Sequence, residues 1–187
     1  MDKKVITFGE IMLRLNPEGY LRLTQAEKLE ASYAGGEANV AVSLANYGMD
    51  VAFVSKVPMN EIGQSAINAM RRFGVDTQFV LRGGDRLGVY YVEKGASQRA
   101  SRVIYDRARS AVACSKVEEY DWDTIMDGAG WFHWTGITPA LGGDLPEICL
   151  AACRAAQAHG VKISCDLNYR EKLWTRKKAC EVMSKLM

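Results

Sequence analysis

The chain has 187 residues, 48 % of them hydrophobic and 25 % charged, which suits one globular domain with a real core and excludes a disordered or collagen-like chain. Lys and Arg number 24 against 22 for Asp and Glu, and a net charge of +2 gives no electrostatic ground for nucleic-acid binding. No run approaches the ~18 apolar residues of a membrane span, and Met1-Asp2-Lys3-Lys4 leads into a strand-like run with no signal-peptide core behind it.

In chain order, Val5 to Gly9 is a short β-rich run ending at Gly9-Glu10. A second run, Ile11 to Leu15, stops at the turn signal Asn16-Pro17-Glu18-Gly19, and residues 20–34 carry no clear period. Ala34-Gly35-Gly36-Glu37 opens a helix with Ala38, Ala41, Val42 and Ala45 at helical spacing, closed by Gly48. Val51 to Val57 reads as a strand. Asn60 is placed to cap a helix with the stripe Ile62, Ala66, Met70 and Phe73, closed by Gly74. Residues 75–107 then carry three short β-like runs, around Val80, Val89 to Val92 and Val103-Ile104-Tyr105. With no helix between them, they predict antiparallel pairing.

Alternation returns with a helix at Trp122 to Met126 and a strand at Trp131-Phe132-His133-Trp134. A helix striped by Leu145, Ile148, Cys149, Ala152 and Ala156 ends at Gly160, and a strand follows at Val161 to Cys165. Thr175 is placed to cap a last helix, whose apolar stripe of Val182, Met183 and Leu186 needs a packing partner and a following strand. Strands alternating with helices predict an α/β fold: a parallel sheet covered on both faces, with an antiparallel flap beside it. In such sheets ligands lie outside the carboxyl ends of the strands. Three segments stand there: Gly9-Glu10, Thr135-Gly136-Ile137-Thr138-Pro139 and Asp166-Leu167-Asn168-Tyr169-Arg170.

The five cysteines form no CxxC pair and read as reduced, mostly buried thiols of a cytoplasmic protein, with no metal site. His133 reads as a hydrogen-bonded structural residue, and Trp131 or Trp134 as core. Gly35-Gly36 before a helix start, with Asn39 on its first turn, admits either a plain turn or close ligand approach. Tyr105-Asp106-Arg107, with Arg99, Arg102 and Arg109 nearby, admits a charged edge strand or an anion-recognising cluster. Asp166 to Arg170 admits a turn or a site. No strong general base is readable.

Taken together these segments resemble the ribokinase-like sugar kinases, the phosphofructokinase-B family, and within it the 2-keto-3-deoxygluconate kinases. The resemblance runs from Gly9-Glu10-Ile11-Met12-Leu13-Arg14-Leu15 through Gly35-Gly36-Glu37-Ala38-Asn39-Val40-Ala41 and Trp134-Thr135-Gly136-Ile137-Thr138-Pro139-Ala140 to Asp166–Trp174. It implies a three-layer α/β sandwich, with residues 1–187 the N-terminal part of one domain and a small antiparallel β lid built from segments near 11–34 and 80–110. It implies ATP and Mg²⁺, and transfer of the γ-phosphate to the terminal hydroxyl of a sugar acid.

By position the resemblance places Gly35 on the sugar hydroxyls, with Gly36 and Asn39 close by. Tyr90, Tyr105 and Arg107 would hold the acid sugar, and Ile137 would contribute through its backbone. Asn168 would face the nucleotide, and Arg170 the substrate and the transferring phosphate. It implies a possible homodimer through the lid and no nucleic-acid or membrane partner. The family's usual Gly-Gly-Ala-Glu-Ala-Asn stands here as Ala34-Gly35-Gly36-Glu37-Ala38-Asn39, with the second glycine shifted by one. Its Gly-Ala-Gly-Asp signature, whose aspartate is the general base, its Asn-x-x-Glu magnesium motif and most of its nucleotide pocket do not occur in residues 1–187. Two alternatives stand beside the sugar-acid kinase: a non-catalytic sugar-acid binding or regulatory module, and a kinase for a neutral ketose such as fructose.

Overall fold

The computed structural model describes residues 3–187. In chain order its strands are β1 (Lys4–Phe8), β2 (Met12–Pro17), β3 (Leu29–Ala34), β4 (Val51–Val57), β5 (Val80–Arg82), β6 (Gly88–Glu93), β7 (Arg102–Asp106), β8 (Ala129–Thr135) and β9 (Lys162–Asp166). Its helices are α1 (Gly36–Asn46), α2 (Glu61–Arg71), α3 (Trp122–Met126), α4 (Ile137–Ala140), α5 (Leu145–Ala158) and α6 (Arg176–Leu186). Asn60 caps α2 by accepting from the Gly63 N–H at 3.1 Å, and Thr175 caps α6 by accepting from that of Lys178 at 3.2 Å. Among the described residues no helix is long and apolar enough to cross a membrane.

Five strands form a parallel sheet in the order β5-β4-β1-β8-β9. Side chains alternate across it. Ile6, Phe8, Phe132 and Trp134 face a core completed by α3, α5 and α6, while Val5, Val51, Phe53 and Val57 face a second core under α1 and α2. Helices therefore cover both faces, in three layers. Trp134 is fully buried, whereas Trp131 on the opposite face is exposed, with the Lys162 ammonium 5.2 Å from its ring. His133 Nδ1 lies 3.1 Å from Ser164 Oγ on the neighbouring strand, a structural contact.

A second, smaller sheet runs β3-β2-β6-β7. It is mixed: β2–β3 and β6–β7 are antiparallel, but β2 and β6 pair in parallel. The expected all-antiparallel flap is corrected here for a topological reason. β1 and β5 are parallel, both chains leave the carboxyl edge of the large sheet, and so the strands that follow them run the same way. The run around Val80 also leaves the flap. It follows α2 and returns beside β4 as the second strand of a β-α-β crossover.

Two finer expectations change as well. On α2 the buried face is Gly63, Ala66, Ile67 and Met70, and Ile62 and Phe73 are exposed. The cap at Asn60 fixes the helix phase, and Phe73 lies past the helix end. All five cysteines are free, but only Cys149 and Cys153 are buried; Cys165 is half-buried, and Cys114 and Cys180 are exposed. The α2 phase gives a direct test by urea unfolding. Ile67→Ala is expected to cost about 2–4 kcal/mol, as for a buried aliphatic side chain, and Ile62→Ala less than about 1 kcal/mol.

Candidate functional site

The carboxyl ends of β1, β8 and β9 lie side by side, and the small sheet stands over them. Between the two sheets is a cleft of about 1080 Å³. Its lining includes Gly35, Gly36, Asn39, Tyr90, Tyr105, Arg107, Ile137, Asn168 and Arg170, every site residue named from the sequence, brought together from five segments. It also includes Glu10, Met12, Glu37 and Lys172, which the sequence had not marked as site side chains.

The floor is organised by Glu37. Its carboxylate is fully buried, and its Oε1 accepts from Thr135 N at 3.1 Å, Thr135 Oγ1 at 2.8 Å and Thr138 Oγ1 at 3.0 Å. Thr135 Oγ1 in turn accepts from the Ile137 N–H at 3.2 Å. The Ile137 carbonyl accepts from Leu141, so the backbone of Ile137 is already engaged within the fold. On the other side, a Cβ added to Gly9 would come within 2.2 Å of the Glu37 carboxyl. Burial pushes Glu37 above the ordinary carboxylate range, and the two threonines pull it back in part. The only sequence signal was a glutamate in a helix's first turn, which reads as a favourable interaction with the helix dipole and no more.

The two glycines differ. Gly35 is extended, and a Cβ there would lie 1.9 Å from the Glu10 carbonyl oxygen, so Gly35 is required by the backbone crossing beneath it. A Cβ on Gly36 would meet only Thr135 Cγ2 at 3.7 Å, an ordinary contact. Beside β9, Asp166 Oδ1 accepts from the Asn168 N–H at 2.9 Å, closing a turn, and Asn168 takes a left-handed φ of 39° that asparagine tolerates. The turn reading and the site reading of this segment both hold, because the turn presents Asn168 and Arg170 to the cleft. Gly136 fits against it because a Cβ there would lie 2.2 Å from the Leu167 carbonyl oxygen.

The roof comes from the small sheet. The Tyr90 and Tyr105 rings stack with centroids 5.8 Å apart, and the Arg107 guanidinium lies 5.8 Å from the Tyr105 ring. Arg107 is bound to Glu10, and both side chains are largely buried. Burial pushes Glu10 up and the Arg107 charge pulls it down. The Arg107 charge is thus already matched by a carboxylate 97 positions away in sequence. Asp106 points elsewhere, to Arg86 at 2.8 Å, and Arg99 lies 3.8 Å from Glu93, both away from the cleft. β7 is an edge strand, so the charged-edge reading of this segment also holds.

Two measurements test the floor. In thermal unfolding, Gly35→Ala is expected to cost roughly 1–3 kcal/mol, whereas Gly36→Ala is neutral or stabilises by about 0.5 kcal/mol. For Glu37 the sign follows from its raised pKa: the folded chain holds this proton more tightly than the unfolded chain. Its contribution is full below the ordinary value of 4.5 and is lost as pH rises through the folded value. Denaturant titrations of wild type and Glu37→Gln from pH 4 upward are therefore expected to shift in favour of the Gln variant as pH rises. A Gln variant that instead loses stability relative to wild type as pH rises would overturn this reading.

Comparison with known proteins agrees with this architecture. The family model described as pfkB family carbohydrate kinase matches residues 2–187. The 2-dehydro-3-deoxygalactonokinase of Haloferax volcanii is 38 % identical over 184 residues, covering 97 % of this chain and 58 % of that protein. The crystal structure of 2-dehydro-3-deoxygluconokinase from Thermotoga maritima superposes with a TM-score of 0.96 at 52 % identity, covering 97 % of this chain and 56 % of that one. An uncharacterized sugar kinase from Pyrococcus horikoshii, solved in complex with ATP, shares the fold at 21 % identity and a TM-score of 0.84, covering 97 % of this chain and 59 % of its own. The chain spans little more than half the length of these relatives. With the sheet order, the small mixed sheet and the cleft between them already in place, the match over residues 2–187 makes the chain a member of the pfkB family of carbohydrate kinases.

Proposed function

We propose that these residues form the sugar-facing half of a cytoplasmic kinase that transfers the ATP γ-phosphate to the terminal hydroxyl of 2-keto-3-deoxygluconate or its galactose-derived epimer. The observation that carries this reading is the cleft itself. It sets two stacked tyrosines and Arg107 opposite Gly35, with Arg170 and Lys172 at the carboxyl end of β9. The small sheet acts as a lid over the sugar.

The residues divide the work. Gly35 gives the sugar hydroxyls access to backbone, and Asn39 adds a side chain able to donate and accept. Tyr90 and Tyr105 offer ring faces and hydroxyls, and Arg107 offers donors held fixed by Glu10. Asn168 faces the nucleotide. Arg170 and Lys172 are exposed and form no ion pair among the described residues, so their charge is free for a phosphate. Phosphoryl transfer depends on positioning and charge neutralisation more than on covalent help, and this half of the cleft supplies both. ATP supplies the phosphoryl group. Among the described residues no group of three or more His, Cys, Asp or Glu side chains is arranged to hold a metal.

The test is ADP release by the whole protein that carries these residues, with 2-keto-3-deoxygluconate, its epimer and fructose as acceptors. The two sugar acids are expected to exceed fructose in kcat/KM, and Arg170→Ala to lower kcat by roughly a hundredfold or more. Equal use of fructose would favour a neutral-ketose kinase instead.

A further inference from the structure

Behind the cleft floor, polar side-chain atoms without a hydrogen-bond partner among the described residues collect on one face of the large sheet. Glu37 takes its hydrogen bonds from Thr135 and Thr138 on Oε1, and none reaches its Oε2. Thr7 Oγ1 and Ser55 Oγ are buried and unpartnered, and both residues are completely enclosed.

The strand register sets these atoms around one point. On β1, Val5 and Thr7 point to the core under α1 and α2, and Gly9, two residues on, continues that face. On β4, Val51, Phe53 and Val57 point to the same core, so Ser55 between them does too. The two strands pair in parallel up to Phe8 and Val54, and the Gly9 N–H donates to the Val54 carbonyl at 3.2 Å, which sets Ser55 beside Gly9. A Cβ at Gly9 would lie 2.2 Å from Glu37 Oε2. Oε2 therefore stands where a side chain of residue 9 would stand. Thr7 is one same-face step back along the strand, roughly 6.6 Å, and Ser55 is one strand across, roughly 4.8 Å. Two oxygens joined through one water lie up to about 5.6 Å apart, which matches these steps.

The donor set selects the occupant. Each hydroxyl has one proton to give and lone pairs to receive, and the carboxyl oxygen accepts. Sealing such groups without partners is costly, and an internal water that makes about three hydrogen bonds removes the cost. A hard divalent cation takes about six oxygens or more, and among the described residues no group of three or more His, Cys, Asp or Glu is arranged to hold a metal.

We propose that Glu37 Oε2, Thr7 Oγ1 and Ser55 Oγ bind one internal water behind the cleft floor. The water completes the shell of the Glu37 carboxyl. It also ties β4 to the start of α1, which no direct side-chain hydrogen bond among the described residues does. The site does not depend on which sugar the cleft takes.

The experiment uses the whole protein that carries these residues. A high-resolution crystal structure is expected to show one density peak within hydrogen-bond distance of all three oxygens. Thermal unfolding supplies a test by sign. Thr7→Val replaces the hydroxyl by a methyl of nearly equal size. Where the hydroxyl holds a water, Tm is expected to fall by about 2–4 °C, whereas removing an orphaned hydroxyl raises Tm. Adding Ser55→Ala to Thr7→Val is expected to lower Tm by less than the two single falls together, because both side chains hold the same water. No density between the three oxygens, a Thr7→Val variant with raised Tm, or fully additive falls overturns the site. A peak with six or more oxygen neighbours overturns water as its occupant. The wild-type crystal structure decides alone where the variants do not fold.

Discussion

A carboxylate sealed inside a protein loses several kcal/mol of hydration and stays there only where donors replace the water. Glu37 meets that condition from three directions. Its own helix places it at the start of α1, where the dipole favours negative charge, and β8 supplies the backbone N–H and hydroxyl of Thr135. α4 supplies the hydroxyl of Thr138. Gly9 at the end of β1 makes room for it, since any side chain there would occupy the carboxyl's place. Two strand ends and two helix starts are therefore held to one another through a single side chain. The cleft floor is rigid because its geometry is also the solution to that desolvation problem.

Much of the large sheet was legible in the sequence because its signals are local. Strand runs ending in Gly9-Glu10, Thr135-Gly136 and Asp166-Leu167, and helices opened by Asn60 and Thr175, depend on neighbours a few positions apart. The three strand-end loops followed from a general rule about parallel sheets, and that rule found the cleft before any family did. The small sheet was less legible. Whether β2 and β6 run parallel is decided by where two distant chain segments leave the large sheet, and no periodicity within either strand records it. Residues 20–34 gave no pattern because β3 is an exposed edge strand whose apolar alternation is weak.

The site residues divide along the same line. The resemblance, and not residue type alone, put Gly35, Arg107 and Arg170 together, and the cleft gathers all three, but the reasons for them were not legible. Gly35 read as a place for a ligand, yet its missing side chain is required first by the Glu10 backbone. Arg107 read as part of a charged edge or of an anion-recognising cluster, and its partner was invisible because the two lie 97 positions apart.

Glu10 joins floor to lid. Its backbone passes against Gly35 at the entrance to α1, and its side chain holds Arg107 just beyond β7. Gly88, at the start of β6, has no room for a side chain because the Glu10 carboxyl already lies against it. One residue following β1 thus contacts the start of α1, the start of β6 and the end of β7. Because this contact is an ion pair with both partners largely buried, separating lid from floor there would expose or strand a charge. The root of the small sheet is consequently fixed, and any movement of that sheet must come from its outer parts, β3 and the tip between β6 and β7. Those parts are the more exposed, which is where motion costs the least buried surface.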